Sequence, residues 1–472
     1  MIMKKYLVFA FRGLGILLLV LCLSWVVFYI YCWWKGNRDL EAARAELRAL
    51  HLPMQLSEII PPPVPDEENA AFILNCTLVP TPRTKALFRS NIPHVSLKED
   101  NLKTKTTTPR NVGLTRVEDV SKTDLQAYQD FVQQNEPVFS LITKALGKPV
   151  YRQPINYDGG PGERMPHLSH IRSYARLLSY RAIIQETEGK PKEAIQTLLS
   201  IESLSRFLDS EPILISFLVQ IALDSLCDNK LAPLITSGKL DDQTLRLIQE
   251  KIGQRNYQAN HKNSLNTERI MGMDWLFDYI IHKKFSAKEM SGFSGLFDAN
   301  DAKRSKLNFF RYRFYPGNYF KSDWAVSLQC FARKARHLQK SVINPAEIKL
   351  PPLPNDAFFS KFFLPALDKI HIHTGRAESI QKLVVLACAL ERAKLSGEVY
   401  PSELNLLCPK YIAEIPWDPF SGEKPIYRTD GKHYLLYYKG DDLKDDGGMF
   451  QKFQDIGLAT DKSWLPAAAL KD

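Results

Sequence analysis

The side chains with the clearest capacity for chemistry lie in one acidic loop near the end of the chain. Four aspartates occur within six positions, between Gly440 and the pair Gly447-Gly448, and they are Asp441, Asp442, Asp445 and Asp446. Carboxylate oxygens are hard ligands of the kind that Ca²⁺ prefers, and flexible glycines allow several of them to turn toward one point. We therefore predict that Asp441, Asp445 and Asp446 bind a calcium ion. Asp442 is expected to point outward, because adjacent residues of an extended chain face opposite ways.

A solvated acidic turn is the competing interpretation of this loop. Lys439 and Lys444 lie beside the aspartates and would partly neutralise them. An EF-hand does not fit, because no glutamate stands at the twelfth position of the loop. Carboxylates held this close repel one another unless a bound cation or the lysines offset the repulsion, so both interpretations stay open.

A helix and a hairpin are expected to position the loop. Apolar residues recur at helical spacing through Ala377–Leu395, which predicts a helix with one buried face that ends at Gly397. Two aromatic-rich runs, Pro425–Arg428 and Tyr434–Tyr438, flank a segment with an Asp-Gly turn signal. This pattern is typical of an antiparallel hairpin.

The order of these parts resembles the C-terminal region of the major pseudopilins of type II secretion systems. The matching residues are Gly397, Tyr400 and Pro401, then Asp418, Pro419, Phe420, Gly422, Pro425 and Tyr427, and finally Gly440–Gly448. The resemblance implies a structural module over residues 377–448 whose loop holds a calcium ion that stabilises the sheet. The chain departs from that family in two ways: some 340 residues separate its apolar segment from the module, and no pseudopilin processing signal surrounds that segment. Assembly into a pilus-like fibre is therefore not implied. The layout of the whole chain also looks like that of membrane-anchored proteins of planctomycete-type bacteria, a group that implies no particular activity.

An N-terminal anchor is predicted from Gly13–Trp34, which carries no charge over 22 residues and is long enough to cross a hydrocarbon core of about 30 Å. The charges around it are Lys4, Lys5 and Arg12 before the run, and Lys35, Arg38, Asp39 and Glu41 after it. This bias favours an N-terminus inside and a body outside the cytoplasm. A cleaved signal peptide is the alternative. The rings of Trp33 and Trp34 suit a membrane interface better than a small-residue cleavage site, so we expect a retained single-pass anchor, residues 1–35, in a bacterial inner membrane.

The rest of the chain is predicted to be mainly α-helical, with a small C-terminal antiparallel β module. Residues 36–66 form a stalk and Pro-rich linker, 67–376 a helical body, 377–448 the module and 449–472 a tail. Body helices are predicted at Asn69–Leu74, Asp124–Leu146, Leu168–Glu188, Pro191–Leu208, Pro212–Ile235, Asp241–Gln254, Thr267–Lys284, Lys321–Ser341 and Asp356–Ile372. The turn Gly189-Lys190-Pro191 is typical of a tetratricopeptide-like hairpin, although no period near 34 residues repeats three times. Residues 80–116 are expected to form a loop.

Composition and motifs narrow the classes of function. With 472 residues, 45% of them hydrophobic, the chain can bury a large core. The net charge of +10 is scattered along the sequence, and an extracytoplasmic body would not meet nucleic acid, so we expect none as a partner. No Cys-x-x-Cys is present, so neither a zinc knuckle nor a thioredoxin-like redox site is indicated. A disulfide between Cys388 and Cys408 across the turn is conceivable, but pairing cannot be determined from sequence alone.

Three further features have two interpretations each. The pairs His167/His170 and His371/His373 have metal-like spacing, but each lacks a third ligand nearby in sequence and is interpreted as a surface or core pair. Aromatic and basic residues interleave from Phe309 to Tyr315 and continue through Tyr319, Phe320, Lys321 and Trp324. They would either bind anionic lipid, glycan or phosphate or, as we expect, pack alternate rings on the body.

The sequence therefore indicates a membrane-anchored extracytoplasmic binding or scaffold protein, linked to secretion or the cell envelope through another envelope protein. No H-E-x-x-H, G-x-S-x-G or protein-kinase motif is present, and no catalytic residue is assigned. The alternative is an extracytoplasmic hydrolase, directed at glycan or peptide, with a carboxylate-based site in the helical body. A deep pocket with convergent polar groups would favour the hydrolase, whereas an exposed groove or a flat apolar patch would favour the scaffold.

Overall fold

The computed structural model describes residues 2–76, 122–282, 315–340, 342–348, 350, 352–354, 357, 359–450 and 455–465. Within them the protein is mainly helical, with one long apolar N-terminal helix and a three-stranded antiparallel sheet near the C-terminus, as predicted. The expected loop at 80–116 and the aromatic residues 309–314 lie outside the described residues.

The helices are, in chain order, α1 Ile2–Ala49, α2 Ala70–Cys76, α3 Lys122–Gln134, α4 Glu136–Leu146, α5 Pro166–Thr187, α6 Pro191–Phe207, α7 Leu214–Ile235, α8 Asp242–Gly253, α9 Tyr257–Thr267, α10 Trp275–Ile281, α11 Lys321–His337, α12 Pro345–Ile348 and α13 Ser360–Gly397. The strands are β1 Ile426–Thr429, β2 Tyr434–Tyr438 and β3 Ile456–Ala459, in the order β1-β2-β3.

Helix α1 runs without a break from the apolar segment into the stalk. From Arg12 onward it is long and apolar enough to span a membrane, and the residues of its most apolar window are exposed. Past Trp34 its character changes, because Leu40, Ala43 and Leu47 fall on one face and are buried. They pack against the alanine- and leucine-rich face of α11. The stalk is thus part of the folded body and not a free spacer.

The contact between α1 and α11 depends on a small residue at Gly36. A Cβ atom at this position would lie 2.5 Å from the backbone oxygen of Asn318 and 2.9 Å from Cβ of Lys321. Both distances are shorter than van der Waals contact, so only glycine permits this approach. Along the same seam Lys35 donates to Asp39 and to Ser322, and Arg336 pairs with Glu46 at 2.7 Å.

The helices of the body pack around two large apolar clusters. Helices α5, α6 and α7 pack in sequence order, and α8 packs between α6 and α13. The sequence prediction was close for these helices. It joined α3 and α4, which Asn135 separates, and it missed α9, which continues through a π-helical turn, Glu268–Asp274, into α10. A tetratricopeptide-like identity for the α5–α6 hairpin stays a prediction.

Helix α13 is one continuous helix where the sequence predicted two. Gly375 lies near its middle, and the ring of Phe420 fills the space that a Cβ atom at Gly375 would need. Asp418 holds Phe420 there by accepting hydrogen bonds from the Phe420 amide at 3.1 Å and the Ser421 hydroxyl at 2.7 Å. The Asp-Pro-Phe turn therefore fixes the terminal module to the helix.

The terminal sheet packs on the C-terminal half of α13. Strand β2 is buried throughout and pairs with both β1 and β3. Tyr400 donates to the buried carboxylate of Glu391 at 2.7 Å and its ring contacts that of Tyr434 edge-on. Burial raises the pKa of Glu391 to about 7. The third strand, β3, lies within residues 449–472, the predicted tail.

We predict that Gly36→Leu separates the stalk from α11 and destabilises the protein. Overpacking at a close helix contact costs about 1–3 kcal/mol, so the melting temperature of the detergent-solubilised chain should fall by several degrees. Gly13→Leu is the matched control, since no atom lies within 4 Å of a Cβ atom there. Equal melting temperatures for the two variants would show that the docked stalk adds no stability.

Candidate functional site

The acidic loop begins where strand β2 ends. Tyr438 closes the strand, a 3₁₀ turn covers Gly440–Asp442, and Leu443 adopts a left-handed conformation with φ of 62°. Gly447 and Gly448 also have positive φ, which glycine adopts without strain. The loop therefore folds back on the sheet and brings its aspartates near the start of β3.

Asp441 is held by an arginine of α13. The Arg376 Nε donates to Oδ1 of Asp441 at 2.7 Å, and a terminal nitrogen of the same guanidinium donates to the same oxygen. Both side chains are largely buried. The sequence prediction named lysines as the neutralising cations, but Lys439 instead pairs with Glu423 at 2.6 Å. Asp442 is exposed, as expected, and caps the amide of Lys444 at 3.0 Å.

Asp445 is held by a tyrosine and a backbone amide. Its Oδ1 accepts from the Tyr437 hydroxyl at 2.9 Å and from the Gly447 amide at 2.9 Å. The hydrogen bond from the Gly447 amide lowers the pKa of Asp445, and the hydrogen bond from the Tyr437 hydroxyl lowers it further. The side chain is thus ionised and fixed in position, with its second oxygen available.

Asp455, which the sequence prediction missed, completes the acidic cluster. It directly precedes β3, is 2% exposed, and accepts from the Gly448 amide at 2.8 Å. Burial, together with the charges of Asp445 and Asp446, raises its pKa to about 6. One oxygen of Asp455 and one of Asp446 are buried without a hydrogen-bond partner among the described residues. These orphaned oxygens are where a cation would be stabilised.

The aspartates alone do not form a complete metal site. In the described part of the chain, no three His, Cys, Asp or Glu side chains are arranged to hold a metal ion. Calcium accepts six to eight oxygens, so backbone carbonyls and water would have to supply the remaining ligands. Of the predicted ligands, Asp445 and Asp446 lie beside Asp455, whereas Asp441 forms an ion pair with Arg376.

A second cluster of charges lies inside the helical body. Arg255, whose side chain has no exposed surface, donates to Glu202 at 2.9 and 2.5 Å and to Asp228 at 2.7 Å. Tyr257 bridges to a third carboxylate by donating to Asp224 at 2.8 Å. The three carboxylates come from α6 and α7, and Arg255 follows α8. The network therefore ties α6 and the middle of α7 to the C-terminal end of α8.

The second guanidinium of this network belongs to Arg206. It bonds both oxygens of Asp224, at 2.9 and 2.7 Å, and pairs with Glu202 at 3.1 Å. Burial raises the pKa of Glu202 and of Asp228. Burial alone would raise that of Asp224 too, but Arg255 and Arg206 hold its pKa below the usual value. All three carboxylates therefore bond to side chains inside the body, and these contacts have a structural role.

The histidine pairs do not form metal sites. His167 bonds Glu211 at 3.0 Å rather than His170, and Glu211 also accepts from Ser216 at 2.8 Å. Because Ser216 donates to the glutamate and not to an imidazole, this trio cannot activate the hydroxyl as a nucleophile. His371 is buried and its ring contacts that of His261, with ring centres 4.3 Å apart, whereas His373 is exposed. Cys388 and Cys408 are both free thiols, so the conceivable disulfide is not formed.

An open groove lies between the Pro-rich linker and the extended segment that follows α4. It has a volume of about 560 Å³, and its lining includes Pro61, Pro63, Phe72, Arg152 and Tyr157. Asn69 builds one wall by bonding both backbone groups of Arg152, accepting from its amide at 2.9 Å and donating to its carbonyl at 2.8 Å. The linker is thus fixed to the body as the side of a groove.

Arg152 is the charged group of this groove. Its Nη1 donates to the carbonyl of Ser210 at 2.7 Å, and its Nε is buried without a hydrogen-bond partner among the described residues. Within that part of the chain no carboxylate lies at ion-pair distance from it. The ring of Phe72 stands beside it, 53% exposed. A cation and an exposed ring in one groove suit a ligand that carries both an acid and an apolar group.

We predict that Arg255→Met destabilises the body strongly. The substitution leaves three buried carboxylates with only Arg206 to balance them, and breaking a buried ion pair in this way costs about 3–5 kcal/mol. Urea denaturation followed by circular dichroism measures the loss. Arg246→Met is the control, because Arg246 forms an exposed pair with Asp242 that contributes at most about 0.5 kcal/mol. Similar midpoints for both variants would contradict a structural role for the network.

Comparison with known proteins adds no relative to this description. No family model matches the chain, and neither a curated protein nor a solved structure shows significant similarity to it. The resemblance of residues 377–448 to the major pseudopilins therefore rests on the motif residues and stays a prediction.

Proposed function

We propose that the protein is a membrane-anchored extracytoplasmic scaffold that binds an extended segment of another envelope protein. The observation that supports this most directly is the open groove of about 560 Å³ beside the linker. An exposed groove is the feature expected of a binding protein, whereas an enzyme of this size is expected to enclose its substrate in a polar pocket.

The anchor supports a location at the membrane surface. Helix α1 is long and apolar enough to cross a bilayer, and its stalk is packed on α11, so a bilayer that holds the helix also holds the body close. The charge bias around Gly13–Trp34 favours the N-terminus inside a bacterial inner membrane and the body in the periplasm. A scaffold in this position would present its groove to other envelope proteins.

The chemistry of the groove indicates the kind of partner. The prolines and the Phe72 ring offer apolar contact to an extended chain, and Arg152 offers a guanidinium to a carboxylate. We infer a partner segment that carries an acidic side chain next to an apolar one. A segment without secondary structure fits best, because the wall at 150–156 is itself extended.

The hydrolase alternative has less support. It requires two carboxyl groups facing one cavity, one of them shielded from water. The shielded carboxylates of the body, Glu202, Asp224 and Asp228, are bonded to arginines and a tyrosine. The carboxylates that line the groove, Asp66 and Asp158, are exposed.

Site-specific photo-crosslinking in intact cells tests the groove. A photoreactive phenylalanine analogue at position 72 should give a discrete crosslinked product with an envelope protein, and Arg152→Gln should weaken that product several-fold. The analogue at Leu406, which is 62% exposed on the terminal module, is the control. Identical products at positions 72 and 406, or none at 72, would refute the groove as the binding surface.

We also propose that the acidic loop binds calcium as a stabilising ion. The orphaned oxygens of Asp446 and Asp455 and the fixed carboxylate of Asp445 support a cation at this point. Asp441 contributes only if it leaves Arg376. An ion bound here would link the loop to the start of β3 and so clamp the terminal sheet.

We expect calcium to raise the melting temperature of the chain and a chelator to lower it, because a ligand of the folded state stabilises by mass action. Asp445→Asn should remove most of this dependence, and so should Asp455→Asn. Asp442→Asn is the control, since the Asp442 carboxylate is exposed and bonds the amide of Lys444 rather than a residue of the cluster. If calorimetry detects no binding at millimolar calcium and the chelator leaves melting unchanged, the loop is an acidic turn.

A further inference from the structure

A second cavity, of about 490 Å³, lies between α1 and the body, near the end of the apolar run. Its lining includes Tyr29, Asn37, Arg44, Asn318 and Lys321. Unlike the groove described above, one of its walls is the anchor helix itself. Its contents would therefore face both the apolar run of α1 and the polar base of the body.

The position along α1 sets the depth of this cavity. Tyr29 belongs to the last turns of the apolar run, and Asn37 lies three residues beyond Trp34, or about 4.5 Å along the axis at 1.5 Å per residue. Tyr315 and Tyr319 of the body contact the ring of Phe28, with centres 5.6 and 6.3 Å apart. When the apolar run spans a bilayer, these groups lie in the headgroup region.

Lys321 is the uncompensated charge of the cavity. Its ammonium donates to Oδ1 of Asn37 at 2.7 Å, and no carboxylate within the described ranges lies at ion-pair distance from it. Desolvation lowers the pKa of Lys321, and the nearby charge of Arg44 lowers it further. The negative charge of an anion placed between the two cations would offset this lowering.

The two carboxylates of the cavity lie beside other side chains. Glu41 pairs with Arg44 at 3.1 Å, and Asp278 lies 3.0 Å from His282, which is charged only when protonated. The Arg44 guanidinium also lies over the Trp324 ring, 5.0 Å from its centre, which holds it at the cavity wall. Arg44 is thus fixed in place and its carboxylate partner, Glu41, is exposed, while Lys321 has no carboxylate at ion-pair distance among the described residues. Together the two cations suit one phosphate.

We propose that this cavity binds one anionic phospholipid, with the headgroup phosphate between Lys321 and Arg44 and an acyl chain along the exposed face of Tyr29. The inference rests on the bilayer insertion of α1 that is part of the proposed function. A lipid matches both the cations and the apolar helix of the cavity. Its phosphate contacts the cations, and its acyl chain lies along the apolar run of α1. A free phosphate would contact only the cations, and it would have no reason to prefer a site at this depth.

Lipid retention by the full-length chain tests the proposal. The protein is purified in a delipidating detergent, incubated with phosphatidylglycerol, and examined by native mass spectrometry. Wild type should retain one lipid molecule, and Lys321→Met should bind it at least about tenfold more weakly, the loss expected for one charge-assisted contact. Methionine keeps the apolar stem that packs beside Gly36, so the docked stalk is preserved. Lys321→Arg should restore retention.

Two controls make the outcome decisive. Lys239→Met removes an exposed lysine of the body and should leave retention unchanged. Inorganic phosphate at millimolar concentration should protect the chain against heat much less than short-chain phosphatidylglycerol does. Retention by Lys321→Met equal to wild type, or equal protection by inorganic phosphate, would overturn the proposal. Carbonate extraction of membranes tests insertion separately: α1 inserts if all variants stay in the pellet, whatever the lipid result.

Discussion

The helical body depends on one buried network of charges, in which Arg255 and Arg206 balance the carboxylates of Glu202, Asp224 and Asp228. The Arg255 guanidinium is wholly enclosed and meets carboxylates from α6 and α7, so α6, α7 and the C-terminal end of α8 cannot shift without breaking several short contacts. An apolar core of similar volume would give comparable or greater stability. The network also fixes the position of these helices along one another, because each arginine reaches only the carboxylate oxygens that it already bonds. The same contacts occupy Glu202, Asp224 and Asp228, the buried carboxylates of the network, with internal partners.

Helix α13 connects the helical body to the C-terminal module, because it packs on both. Its first half packs on α11, its second half packs on α7 and α8, and the terminal sheet covers its last turns. Two long-range contacts fasten the module: the Phe420 ring against Gly375 and the ion pair of Arg376 with Asp441. Both lie within two consecutive residues of α13. The acidic loop is therefore positioned by the helix as much as by the hairpin from which it extends.

Helix α1 connects the same packed body to its apolar run. Because α1 is unbroken and its stalk is buried on α11, the distance from the apolar run to the body is set by packing and not by a flexible linker. The linker that follows turns back and forms a wall of the open groove. A scaffold built in this way would hold a bound segment at a defined height above the bilayer. Such geometry suits a protein whose partner is also in the envelope.

The sequence by itself determined the elements that follow from local patterns. The uncharged run at Gly13–Trp34, the helical periodicity of the body and the Asp-Gly turn of the hairpin each depend on residues that are near neighbours, and the structure has all three elements. Only the tertiary structure decided which charges meet. Arg376 and Asp441 are 65 positions apart, and Glu202 and Arg255 are 53 apart. Such partners leave no local signal, because an isolated Arg or Asp has the same appearance on a solvated surface and in a buried pair. For the same reason the sequence found Asp445 and Asp446 but not Asp455, which the pairing of β2 with β3 brings beside them.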